Sequence, residues 1–139
     1  MKEIELKGKF VIAFDTVFMG NQCVMEGDAG TPEYKPALYD SADEAFREIF
    51  DSNHSMLQSH LDDGTLEEYN EGVTVAMILD MQNILQSGNV ESMRKFMNEH
   101  PECDHCEEFV QPADEFILGR KAIFTGLGLV IEGKKLTEL

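Results

Sequence analysis

Ser41-Ala42-Asp43-Glu44-Ala45-Phe46 is the stretch on which the fold turns. The Ser41 hydroxyl and the Glu44 carboxylate can each satisfy an amide that a helix start leaves unpaired, so the stretch reads as a capping box. Ala45, Phe46, Ile49, Phe50, Leu57 and Leu61 follow at helical spacing and give that helix one apolar face. Ser52-Asn53 offers a break, because both residues favour caps over helix interiors. Asp62-Asp63-Gly64 ends the segment, with Gly64 suited to a left-handed C-terminal position. Thr65-Leu66-Glu67-Glu68 is a second capping box. It is expected to open one long helix carrying Tyr69, Val73, Met77, Met81, Ile84 and Leu85, with Ile78 and Leu79 widening the stripe. Gly88 closes that helix, and Asn89 caps a third with Val90, Met93, Phe96 and Met97 on its inner face. Met77, Met81, Met93 and Met97 sit at core spacing, so they read as core rather than as an adaptable binding surface.

Outside these helices the pattern is sheet. Lys9–Met19 is rich in β-branched and aromatic residues, Gly20-Asn21 offers a turn, and Gln22–Glu26 returns as a second strand. Gly27–Pro32 reads as a loop and Ala37-Leu38-Tyr39 as a short third strand. After His100-Pro101 comes an acidic loop or turn of helix. Phe116-Ile117-Leu118, Ala122–Thr125 and Leu127–Ile131 then read as extended, closing on Gly133-Lys134-Lys135. Strands, helices, strands imply a single α+β domain over residues 1–139. Its antiparallel sheet comes from the N- and C-terminal strands, with three central helices on one face.

The charge follows the same division. The net charge is −16, from 27 acids against 11 Lys and Arg. Residues 31–116 hold 20 acids and 4 bases, while the two ends together hold 7 of each. A field of one sign repels nucleic acid and anionic membrane and attracts basic protein surfaces. Hydrophobic residues at 42% argue against a disordered acidic tail. The first residues, Met1–Lys7, carry acids where a signal peptide needs an apolar run. No apolar run approaches the roughly 20 residues that span a bilayer. Three cysteines, an odd number, give no disulfide framework and fit a reducing, cytoplasmic location.

His100-Pro101-Glu102-Cys103-Asp104-His105-Cys106 is the one cluster of soft ligands. Cys-x-x-Cys is half of a common structural zinc site, and His100, Cys103, His105 and Cys106 supply four candidate ligands. A closed site usually uses two such pairs, and no second pair is present. Redox use of the thiols is disfavoured, because Glu102, Asp104, Glu107 and Glu108 surround them and oppose thiolate formation. Gly126-Leu127-Gly128 lacks the spacing of a dinucleotide loop and is followed by strand-like residues. The paired acids, Asp62-Asp63, Glu67-Glu68, Glu107-Glu108 and Asp114-Glu115, are what any solvated acidic surface provides.

Ser41–Ala45 after a short strand, and the segment Pro112–Phe124, resemble parts of small uncharacterised proteins of bacterial mobile elements and phages. The resemblance implies an accessory role and carries no activity and no functional residue.

Two functional expectations follow. The first is a non-enzymatic protein-binding protein that meets a basic surface through Asp43, Glu44, Glu48 and Asp51 on the first helix and Glu67, Glu68 and Glu71 on the second. Its most specific form is a nucleic-acid mimic, whose carboxylates occupy the phosphate sites of a basic nucleic-acid-binding protein. It needs no cofactor, no direct nucleic acid and no membrane. The second is a metal-binding domain or small metalloenzyme, with zinc on His100, Cys103, His105 and Cys106.

Overall fold

Phe10-Val11-Ile12-Ala13-Phe14-Asp15-Thr16 forms the strand around which the first part of the chain is organised. A computed structural model describes residues 2–4, 6–17, 20–29, 34–119, 129–131 and 134–135. Its strands are β1 (Lys2–Ile4), β2 (Phe10–Thr16), β3 (Gly20–Cys23), β4 (Met25–Glu26), β5 (Lys35–Pro36), β6 (Phe109–Pro112), β7 (Leu129–Ile131) and β8 (Lys134–Lys135). Its helices are α1 (Ala42–Asp62), α2 (Leu66–Tyr69), α3 (Val75–Ser87), α4 (Val90–Glu99) and α5 (Ala113–Gly119), with a 3-10 turn at Pro101–Cys103. The protein is α+β. It divides into two compact units, Met1–Ala45 with Phe109–Leu139, and Phe46–Glu108.

In the sheet unit, β2 is the middle strand of three, antiparallel to both neighbours. Ala13 faces Cys23 and Thr16 faces Gly20 on β3, while Phe10 faces Pro112 and Ala13 faces Phe109 on β6. A separate three-stranded set joins the ends of the chain: β7 pairs parallel with β1 and antiparallel with β8. β4 and β5 form a short antiparallel pair, and Tyr39 bridges to Phe10. Leu6, Val11, Ala13, Cys23, Ala113, Phe116 and Ile117 form the buried core of this unit.

Three expectations are corrected in this unit, the first being the strand at Ala37-Leu38-Tyr39, which lies at Lys35–Pro36 instead. Phe116-Ile117-Leu118 lies in helix α5, not in a strand, and the strand is the preceding Phe109–Pro112. A three-residue apolar run has no period that separates strand from helix. The decisive signal was Pro112 followed by Asp114 and Glu115, a helix start by its proline and its first-turn acids. α5 presents Ala113, Phe116 and Ile117, three and four residues apart, to the core, and its Ala113 amide donates to the Lys9 carbonyl at 2.9 Å. The first hairpin also turns earlier than expected, since Gly20 belongs to β3 and pairs with Thr16. The expected strand Ala122–Thr125 and the glycines at 126, 128 and 133 lie outside the described residues.

In the helical unit, α1 runs without a break through Ser52-Asn53. Ser41 Oγ accepts from the Glu44 amide at 3.1 Å, as the capping box requires. Gly64, at φ 72°, takes the left-handed conformation that follows α1. The expected long second helix is instead two helices. α2 stops at Tyr69, and α3 restarts after Thr74, whose hydroxyl accepts from the Met77 amide at 3.2 Å. Gly72 at φ 93° sits in the break, a backbone conformation closed to most side chains. Gly88 at φ 68° ends α3, and Asn89 caps α4 by accepting from the Ser92 amide at 3.0 Å. Phe50, Leu57, Leu66, Val73, Ile78, Met81, Met93, Phe96 and Cys103 form the core, with Met77 and Met97 packed against it. The four methionines are therefore core residues.

Candidate functional site

The helical unit carries two features that its core positions: a polar cluster around Asp104–Glu108 and an open groove at the α2–α3 turn. α1 contributes Asn53, His54 and His60 to the unit, and the chain after the 3-10 turn contributes Asp104, His105 and Cys106.

Asn53 is fully buried and holds the second segment in place. Its Oδ1 accepts from the Cys106 amide at 2.9 Å, and its Nδ2 donates to Asp104 Oδ1 at 3.4 Å. Asp104 Oδ1 also accepts from the Glu107 amide at 3.1 Å. Glu107 is at φ 53°, a positive value that a non-glycine residue adopts only when its surroundings hold it there. His105 Nδ1 donates to Asn70 Oδ1 at 2.6 Å. The His60 ring lies 5.1 Å from that of His105 and 5.1 Å from that of Tyr69, and His60 Nδ1 is 3.1 Å from Thr65 Oγ1. Thr65 therefore serves the end of α1 rather than capping α2, where it makes no side-chain cap bond.

Three of the four expected metal ligands have other contacts. Cys103 is buried in the core, His105 is engaged with Asn70, and His100 lies against the Phe96 ring at 4.6 Å and 3.3 Å from Glu102 Oε1. Among the described residues no group of three or more His, Cys, Asp or Glu is arranged to hold a metal ion. All three cysteines are free. Burial, aided by Glu102, pushes the Cys103 thiol up to about 11; burial, aided by Glu108 and Asp104, does the same for Cys106. The carboxylates act in the direction their sequence positions imply, but desolvation is the larger cause. Glu108 is raised as well, by burial and then by Asp104.

All seven expected contact acids are exposed. Glu44, Glu48 and Asp51, four and three residues apart, share one stripe of α1. Glu67, Glu68 and Glu71 lie at and just beyond α2. Among the described residues Glu48, Asp51, Glu67, Glu68 and Glu71 make no ion pair.

The groove has two open lobes of about 420 Å³ each. The first is floored by Leu61, Leu66, Val73 and Val75. The second is lined by Glu67, Asn70, Glu71 and Gly72. Glu67, Val73 and Thr74 line both. This groove exists because residues 65–85 form two helices and not the one that their apolar spacing suggests. The Asn70-Glu71-Gly72 turn signal and the Thr74 cap were the clues to it.

No protein-family model, curated protein or solved structure matches this chain. Among the described residues no helix is long and apolar enough to cross a membrane.

Proposed function

We propose that this chain is a non-enzymatic accessory protein that binds the basic surface of another protein, in its most specific form as a mimic of nucleic acid. One observation carries the reading: residues 46–108 hold 14 acids and 3 bases, and the acids of α1 and α2 are solvent-facing. Proteins that bind nucleic acid gain much of their affinity by neutralising phosphates, and exposed carboxylates offer them the same field. Three free thiols support a reducing, cytoplasmic setting. The likeness of Ser41–Ala45 and Pro112–Phe124 to phage and mobile-element proteins supplies the accessory context.

The test is competition. A basic nucleic-acid-binding protein, loaded with a short labelled duplex, is titrated with this protein at rising salt. Displacement is expected, with the logarithm of the binding constant falling linearly against the logarithm of salt concentration. Absence of displacement, or a binding constant that barely responds to salt, overturns the reading.

A further inference from the structure

Residues 48–93 contain nine acids and no Lys or Arg. The α2–α3 groove opens within that stretch, so its field is not offset by any cation of its own segment. Glu67 lines both lobes and Glu71 the second, and neither makes an ion pair among the described residues. Cationic heads are thus favoured over the second lobe.

Charge is only part of the surface. Val75 and Leu79 are 49% and 53% exposed, and they stand one turn apart on α3. Val75 also forms part of the apolar first lobe. Apolar ground therefore continues from the groove onto the solvent side of the helix, beside an acidic lobe. A simple cation has nothing to place on it, and a polyamine only its short methylene links.

Asn70 supplies the third observation. It is 8% exposed and lines the second lobe, and its Oδ1 is occupied by His105. Its Nδ2 is buried without a hydrogen-bond partner. A buried donor left unpaired is unfavourable, so the Asn70 side chain gains by turning toward a peptide carbonyl laid in the lobe.

We propose that this groove docks a basic amphipathic segment of the partner protein, its apolar side chain over Leu61, Leu66, Val73 and Val75 and its Lys or Arg heads at Glu67 and Glu71. The proposal rests on the basic-surface reading above and assigns it a place. Long basic side chains suit the junction, since their methylene stems cover apolar surface while the head stays solvated.

A synthetic helix of alternating Leu and Lys faces is the probe, followed by anisotropy and by amide chemical shifts of the full chain. Saturable binding is expected, with shifts centred on Leu66, Asn70, Val73 and Val75. Glu67→Gln with Glu71→Gln should weaken it about tenfold, Leu79→Gln severalfold, and Glu44→Gln with Glu48→Gln little. These substitutions are at exposed positions, and circular dichroism checks that each variant is folded. If spermine or a Lys/Ser helix binds equally well with the same response, the amphipathic partner is wrong. If the Leu/Lys helix binds without responding to Glu67→Gln and Glu71→Gln, the groove is wrong while the basic-surface reading stands. Loss of salt-dependent displacement in the competition experiment removes that reading itself.

Discussion

Asn53 accepts from the Cys106 amide while fully buried in the middle of α1. A residue that usually weakens a helix interior here spends its amide on a distant segment, so it no longer competes with its own backbone. The same burial governs the nearby thiols. Cys106 is held up to about 11 against an ordinary 9.0, chiefly by desolvation. At pH 8 its thiolate population is then about 100-fold below that of an unperturbed thiol, and its reaction with a disulfide reagent should slow about tenfold, since a thiolate of higher pKa is the better nucleophile. Stopped-flow labelling of the Cys23→Ser, Cys103→Ser variant measures this, and an ordinary rate would refute the desolvation of the half-buried Cys106. His54 lies on α1 with its Nε2 buried and unpaired, and burial lowers its pKa from the usual 6.5 although Asp51 opposes the shift. The unfolded chain therefore takes up this proton first as pH falls. Stability should be complete above pH 6.5 and decline as pH drops through the lowered folded value. Urea midpoints between pH 7.5 and 5 should fall less steeply for His54→Gln than for the parent.

Among the elements, α2 and α3 are separated by the chain's own turn chemistry. Thr74 caps α3, whereas Thr65 is turned toward His60. Thr74→Ala should cost about 1 kcal/mol, the ordinary value of a lost N-cap. Thr65→Ala should cost less, since it removes only the Oγ1 contacts to His60 and no cap bond. Urea denaturation of the two variants gives the comparison, and a Thr65→Ala cost equal to that of Thr74→Ala would refute this ranking. Gly72 belongs to the same break: its φ of 93° makes any side chain strained, even though an added Cβ would meet nothing nearer than Glu102 Cβ at 3.9 Å. The geometry of the groove depends on this break, because it lets Leu66 and Val73 belong to one core while Glu67 and Glu71 face solvent.

For the whole molecule, −16 is a large charge for 139 residues. Like charges close together oppose the compact state, and salt screens them over about 8 Å at physiological ionic strength. The urea midpoint at pH 7.5 should therefore rise between 0.05 and 0.5 M sodium chloride, by an amount on the order of 1 kcal/mol of stability. An unchanged midpoint would mean that the acids stand too far apart to repel. The choice of a neutral denaturant matters, since guanidinium is itself a screening salt.

The sequence by itself determined the α+β class, the cap at Ser41, the left-handed Gly64 and Gly88, the Asn89 cap and the inward methionines. These are local choices, made by residues within one or two turns of each other. It also located the acidic segment, because charge is additive along the chain. Tertiary structure decided what distance along the chain hides. Asn53 stays helical because Cys106 and Asp104 meet it. The thiol pKa values are raised chiefly by desolvation. Ala113, Phe116 and Ile117 become the buried face of α5 because the core of their own unit lies against it. The soft ligands of His100–Cys106 are adjacent in sequence, yet Cys103 is taken into the core, His105 meets Asn70 and His100 lies against Phe96.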